Sequence, residues 1–355
     1  MNKIIIIIVA LLVIIFGGFF AFYFFNVNAT FAKDEEVVVK IEKGSGSVKI
    51  AKILKDSKVI NNDFIFKLYC KFNKIDGLKA GTYKLNKRMN YNNIIKSLKE
   101  GSKYNPDLVS ITFLEGKNMR WIAKTIAQNT NNTEDQVFNL LKDKNYLMSL
   151  IQKYWFIGNE ILDDRIYYPL EGYLFPDTYK LDNKDVSVDK IFGMMLDRMD
   201  KVLTKYKAQI DASGMSVHTT LTMASIVECE SSNSADRAGV AAVFYNRLAR
   251  GMSLGSDVTT YYAAKVDMSE RDLKMSEIKD FNGYNTRALG MEGKIPVGPI
   301  SMVSESSISA AVQPLKNDYL FFVADKNGKV YYANTNEQHE QIIKNLKSQG
   351  LWYTY

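Results

Sequence analysis

The chain has 355 residues, 46% of them hydrophobic and 12% aromatic, enough for two packed domains and incompatible with global disorder. Its formal charge of +7 is a small surplus of 46 cations over 39 anions. That surplus is spread along the chain without a Lys/Arg block, so no nucleic-acid partner is expected. Histidine occurs only at His218 and His339, and cysteine only at Cys70 and Cys229. This argues against a metal site, a resident cofactor, a disulfide framework and a histidine-based nucleophile machine, and leaves carboxylate acid/base work as the accessible chemistry. Both thiols are expected to be free.

The first element is "IIIIIVALLVIIFGGFFAFYFF", residues 4–25, 22 apolar residues without a charge, long enough to span a bilayer. The apolar core of a secretory signal is only ~7–15 residues. The stretch is therefore read as an uncleaved transmembrane anchor, although "NATFA" (28–32) resembles a small-residue cleavage site. Lys3 before the span and "KDEE" (33–36) after it put residues 1–3 in the cytoplasm and the bulk of the chain on the outer face of the membrane.

Residues 36–101 read as a small module. "EVVVKIEKG" is a strand, "SVKIAKILKDSKVI" and "NDFIFKLYCKF" have helical spacing, "GLKAGTYKLN" is a strand, and "NYNNIIKSLKEG" is a helix stopped by Gly101. Such a pattern suits a small wall-binding module. From residue 108 a second region opens with "DLVSITFLEGKNMRWIAKTIAQNT", a strand followed by a helix. Thr133 and Gln136 form a capping box for the next helix, and residues 188–206 carry a long apolar stripe that is core. "DYLFFVADKNGKVYYAN" is two strands joined at Asn327-Gly328. The fold class is α+β, with an amino-terminal membrane helix, a small module and a larger domain.

The stretch "LTMASIVECESSNSADRAGVAAVFYNRL" (221–248) carries the chemistry. Ser216 caps a helix running from Val217 to Glu230 whose apolar circumference requires burial. Glu228 and Glu230 are two residues apart, about 200° around the helix, so they cannot share one pocket wall. A second helix is expected with Ser234 as its cap, ending at Arg250-Gly251. Glu228 falls in the last turn of an apolar helix, where burial and the negative end of the helix dipole both disfavour its charged form. A general acid needs that condition. The alternative is a structural ion pair with Arg237 or Arg247.

"ASIVECE" (224–230), "VFYNRL" (243–248) and "LGSDVTTYY" (254–262) together resemble the MltG (YceG-like) endolytic murein transglycosylases. So do "LEGYLFPDTY" (170–179), "GYNTR" (283–287), "IPVGPIS" (295–301) and "DYLFFVADKNG" (318–328), in matching order. The resemblance implies a YceG-like catalytic domain over 108–355, a LysM-like module at 36–101, and a single-pass enzyme of the cell membrane. It implies cleavage of nascent peptidoglycan glycan strands between N-acetylmuramic acid and N-acetylglucosamine, leaving a 1,6-anhydro end, with the bilayer and wall synthases as candidate partners. The catalytic glutamate falls on Glu228, which would protonate the glycosidic oxygen and then take the C6 hydroxyl proton. Glu171, Asn246, Asp257, Tyr284 and Asn285 are candidate substrate contacts.

Tyr173, Phe175 and Tyr179 are either sugar-stacking faces or core, Asn246 either a sugar ligand or a turn clamp, and Asp257 either a ligand or a helix cap. The chain departs from the family at Cys229, more often Lys, at Val258, more often Pro, and at Arg287, more often Tyr. It departs again in the loop "IPVGPISMVS". Two other functions compete: a non-catalytic wall-binding scaffold, and a hydrolytic muramidase pairing Glu228 with Asp236 or Asp257.

Overall fold

A computed structural model describes residues 2–29, 32–102 and 104–352; Thr30 and Phe31 of the "NATFA" stretch lie outside the described residues. The chain divides into two compact units between Leu108 and Val109.

The first unit begins with α1 (Asn2–Val27). Among the described residues it is the one helix long and apolar enough to cross a membrane, and its apolar side chains are exposed up to its last turns, where Tyr23 and Val27 pack against the core of this unit. It fits a single-pass anchor. Strand β1 (Glu36–Ile41), helices α2 (Ser47–Asp56) and α3 (Asp63–Phe72), strand β2 (Gly81–Asn86) and helix α4 (Tyr91–Glu100) follow. The two strands pair antiparallel, Glu36 opposite Asn86 and Ile41 opposite Gly81. Alternation along them turns Val39, Ile41, Tyr83 and Leu85 inward. Asn62 and Asn90 cap α3 and α4 through their side-chain oxygens, and Gly101 ends α4 at φ +97°, a conformation disfavoured for other residues.

The second unit mixes helix and sheet. It runs β3 (Val109–Thr112), α5 (Met119–Asn129), α6 (Glu134–Lys142), α7 (Lys144–Lys153), a 3₁₀ turn (Asn159–Leu162) and β4 (Thr178–Leu181). Then come α8 (Val188–Ser213), α9 (Val217–Glu230), α10 (Arg237–Ala249), α11 (Asp257–Ala263), α12 (Met275–Lys279), α13 (Glu305–Val312), β5 (Phe321–Ala324), β6 (Val330–Ala333) and α14 (Asn336–Ser348). β3 pairs antiparallel with β4, and β5 with β6.

Local chemistry accounts for these bounds. The Thr133/Gln136 capping box is present with both bonds formed. α8 runs seven residues past the expected stripe because nothing breaks it before Gly214, which takes the left-handed conformation at φ +70°. The hairpin turn spans Asp325 to Lys329, with Asp325 Oδ1 accepting the amides of Asn327 and Lys329.

α9 has the expected bounds, with Ser216 Oγ accepting Thr219 N–H at 3.1 Å. It packs against α10, α11 and α13, which explains an apolar circumference with no solvated face. The following helix begins at Arg237, not after Ser234. Residues 234–236 form a turn held by Asp236 N–H on the Asn233 carbonyl, so the chain bends sharply and the first helical residue is the arginine.

Candidate active site

Glu228 is the last buried residue of α9, its side chain only 4% exposed. The sequence implies an apolar setting for it; the structure corrects this. Oε1 accepts Arg237 Nη2 at 2.6 Å. Oε2 accepts three donors: Ser304 N–H at 2.8 Å, Ser304 Oγ at 2.6 Å and Ser307 Oγ at 2.7 Å. Ser304 is the N-cap of α13, so the carboxylate meets the positive end of a second helix while ending the first. The unfavourable dipole of α9 is opposed by the favourable one of α13. Arg237 is fixed by its other donors, which go to the Ser231 carbonyl and to the hydroxyls of Ser304 and Ser306. Of the two ion-pair candidates, Arg237 forms the pair; Arg247 instead donates to the carbonyls of Leu320 and Leu254.

Polar residues along α9 grip the loop that delivers Ser304. His218 Nε2 bonds the Val297 carbonyl at 2.8 Å, and Ser225 Oγ accepts Ile300 N–H at 3.0 Å. Cys229 Sγ lies 3.3 Å from Ser301 Oγ. A second segment is laid on this loop, since Gly116 N–H donates to the Met302 carbonyl and Met302 N–H to the Lys117 carbonyl. At φ +70° Gly116 takes a conformation that favours glycine, and a Cβ there would stand 3.8 Å from Glu228 Cγ. Gly116 and Cys229, one packed on Glu228 and the other next to it in sequence, both line a cleft of about 290 Å³. Asn118, Trp121 and Tyr261 also line it.

The expected substrate contacts do not gather here. Glu171 is 1% exposed; its Oε2 accepts Met119 N–H at 2.9 Å and Tyr262 Oη at 3.0 Å, while Oε1 is buried with no hydrogen-bond partner among the described residues. Tyr284 is buried against Tyr167 and Tyr262, with its hydroxyl accepting Tyr167 N–H. Asn285 is fully buried and donates to three carbonyls, those of Glu277, Ile278 and Asp280, closing the end of α12. All three are buried, bonded within the chain through at least one side-chain polar atom, and outside the cleft lining, so they are placed as supports of its walls rather than at its surface. Tyr173, Phe175 and Tyr179 are likewise core, with the Tyr173 hydroxyl 2.8 Å from His218 Nδ1. Asn246 clamps the lead-in to β5, donating to the carbonyls of Asn317 and Tyr319. Asp257 is exposed, one residue inside α11 rather than its cap, and pairs with Arg287.

A family model described as the YceG-like family matches residues 39–345. The chain belongs to the YceG-like family. It is 36% identical over 315 residues to the endolytic murein transglycosylase of Bacillus subtilis (strain 168), covering 87% of this chain and 85% of that protein. It is 32% identical over 325 residues to the protein of the same name from Streptococcus pneumoniae (strain D39 / NCTC 7466), 86% of this chain and 58% of that one. A crystal structure of a yceG-like protein from Listeria monocytogenes superposes with a TM-score of 0.62 at 37% identity, covering 87% of this chain and all of the other.

Several YceG-like motif residues tie the walls of the cleft to one another or to the 295–303 loop. Glu171 ties the start of α5 to α11, joining the Asn118 and Tyr262 sides of the cleft. Gly172 beside it, at φ +77°, lies so close to the 295–303 loop that a Cβ would be 2.3 Å from Pro299 Cβ. Glu230 points away from Glu228 and accepts Ser256 Oγ at 2.5 Å; burial raises its pKa. Burial also pushes the Cys229 thiol up to about 12, so it is a neutral wall of the cleft. The residues missed by sequence reasoning are Gly116, Trp121, Ser304 and Ser307, none of which carries a local signal of chemistry.

Burial lifts the Glu171 carboxyl from 4.5 to about 8, against the opposing bonds from Met119 and Tyr262. A raised folded value means that its contribution is fully present below 4.5 and is lost as pH rises through about 8. Urea titrations from pH 4.5 to 9 should show this loss in the parent. Glu171→Gln, which keeps an acceptor for both donors, should flatten the curve and be the more stable protein at pH 9. Parallel curves for the two proteins would refute the assignment.

Proposed function

We propose that this chain is an endolytic murein transglycosylase in which Glu228 is the catalytic carboxyl. The observation that carries the reading is the placement of that carboxylate: buried, neutralised by Arg237, and directly behind a cleft with aromatic walls. Trp121 and Tyr261 supply the faces on which sugar rings stack, and Asn118 supplies a polar group for a hydroxyl or acetamide. The YceG-like relatives that carry this name support the same substrate class, murein.

In the reaction the oxygen between N-acetylmuramic acid C1 and the following N-acetylglucosamine leaves with a proton. The C6 hydroxyl closes on C1, gives up its proton to a base, and no water is consumed. Glu228 Oε2 is saturated by three donors, whereas among the described residues Oε1 accepts only Arg237 and keeps a lone pair. Oε1 is therefore the base that takes the C6 proton. The same carboxylate faces the positive charge that develops at C1, and Arg237 and α13 keep it from moving toward that charge. In the simplest scheme Glu228 also supplies the first proton. The serine hydroxyls on Oε2 can turn from donors to acceptors, so the cage accommodates both forms.

The apolar helix α1 anchors the enzyme in the cell membrane with the catalytic domain on the outer face. Residues 36–101 form a LysM-like module that holds the glycan strand, and wall synthases are its partners in the membrane. A reporter fused to the carboxyl terminus should be active only outside the cytoplasm; cytoplasmic activity would contradict this topology. Deleting residues 36–101 should weaken wall binding more than turnover at saturating substrate, and a loss of the saturated rate would instead place the module in catalysis.

Glu228→Gln should reduce strand cleavage by about 10²–10⁴-fold, with the residual product still carrying an anhydro end by mass spectrometry. Products 18 Da heavier, that is, hydrated reducing ends from the parent enzyme, would make it a muramidase. An unimpaired variant would return Glu228 to a structural ion pair.

A further inference from the structure

The cationic surplus, dispersed along the sequence, becomes uneven once the two units are separated. Residues 1–108 carry 18 Lys and Arg against 9 Asp and Glu, whereas residues 109–355 carry 28 against 30. Three cations of the first unit meet in one place. A cavity of about 270 Å³ beside the end of α1 is lined by Lys33, Lys58 and Lys87, together with Asn26, Asn61 and Tyr91. Each lysine arrives from a different segment. Beyond α1 the chain bends, with Ala29 N–H on the Asn26 carbonyl and Ala32 N–H on the Ala29 carbonyl, and Lys33 follows. Lys58 comes just after the C-cap of α2, at φ +58°, a left-handed conformation that glycine adopts with less strain. The lysine side chain is what that position adds. Lys87, past the end of β2, is largely buried and pairs with Glu35 at 2.7 Å. Lys33 and Lys58 are exposed, and among the described residues their side chains make no hydrogen bond or ion pair.

The height of this cavity follows from the anchor. The apolar run ends at Phe25, and the residues directly after such a run stand at the level of the lipid headgroups. Asn26, Ala29, Ala32 and Lys33 are those residues, and they line the cavity themselves. Tyr23 and Val27 pack against the core of the first unit, which joins the cavity to the helix end rather than leaving it on a free tether.

We propose that this cavity binds the phosphate of an anionic phospholipid headgroup, an assignment that rests on α1 as the membrane anchor proposed above and not on the chemistry at Glu228. Lysine ammonium groups bind phosphate as point charges. Glu35 offsets one of the three, Lys87, and leaves the other two to the ligand. The surplus of the whole unit adds a longer-range attraction to an anionic surface, one that salt weakens. A bound headgroup ties the small unit to the bilayer at a second point besides α1, so that the unit does not pivot freely on the helix end.

The test places the full-length protein in nanodiscs of phosphatidylglycerol and phosphatidylcholine in equal amounts, and reads the lipids it retains by native mass spectrometry. The parent should keep phosphatidylglycerol in preference. Lys33→Gln together with Lys58→Gln should lower that preference by about fivefold per lysine, about 25-fold in all. Lys52→Gln together with Lys71→Gln, two exposed lysines of the same unit outside the cavity, should leave it near the parent's. An unchanged preference in the first pair would overturn the proposal. So would an equal loss in the second pair, the mark of diffuse charge rather than a site. Added inorganic phosphate should not displace the lipid; phosphate adducts in its place would overturn the lipid assignment in favour of a free anion. A parent that inserts into no bilayer would defeat the anchor and this site with it, whereas one that inserts without lipid preference would defeat the site alone.

Discussion

The carboxylate of Glu228 joins three helices at one point. α9 carries it, α10 contributes Arg237, and α13 begins at the serine that caps it. Burying such a pair costs several kcal/mol of desolvation per ion, which a single contact does not recover. Here recovery is spread over four donors and a helix N-terminus. Removing Arg237 alone would strand a buried charge, an effect of ~3–5 kcal/mol in comparable pairs. The site is therefore also a principal join of the second unit, and Arg237 cannot be removed without loosening the helices around it.

Much of the fold is legible in the sequence because it is local. The cap at Ser216, the apolar run to Val227, the capping box at Thr133 and the hairpin glycine at 328 each act over a few residues. Glu228 is legible as a position for the same reason. Its surroundings are not. Ser304 and Ser307 lie 76 and 79 residues further along the chain, in a stretch with no local sign of chemistry. The expectation of an apolar carboxyl follows correctly from α9 alone and fails because a second helix end, invisible to any local pattern, meets it. The early start assigned to the next helix fails for a related reason, since the turn at 234–236 is set by where Arg237 must reach.

The motif residues that do not touch the cleft show how the site is kept in shape. Asn285 satisfies three carbonyls, Glu171 joins two cleft walls, and Asn246 clamps the lead-in to β5. A polar side chain in a recognisable motif is readily taken for a substrate ligand. Burial separates the two roles, because a buried amide whose hydrogens are already bonded has nothing left to offer a sugar. Only exposure and unspent hydrogen bonds mark a contact, and those are properties of the fold rather than of the motif.

The departures from the family pattern fall on this boundary between support and rim. Where the family more often has lysine, Cys229 presents a neutral thiol, so Arg237 is the cation bonded to Glu228 and no second positive charge stands at position 229. Where a tyrosine is more usual, Arg287 pairs with Asp257 at the surface. An exposed pair of this kind contributes only about 0–1 kcal/mol, so it does little to hold the fold. Its effect is to neutralise the carboxylate that begins α11, the helix carrying Tyr261 and Tyr262 to the cleft. Asp257 is thereby occupied by a cation of the chain itself, as Asp267 in the cleft wall is by Arg120.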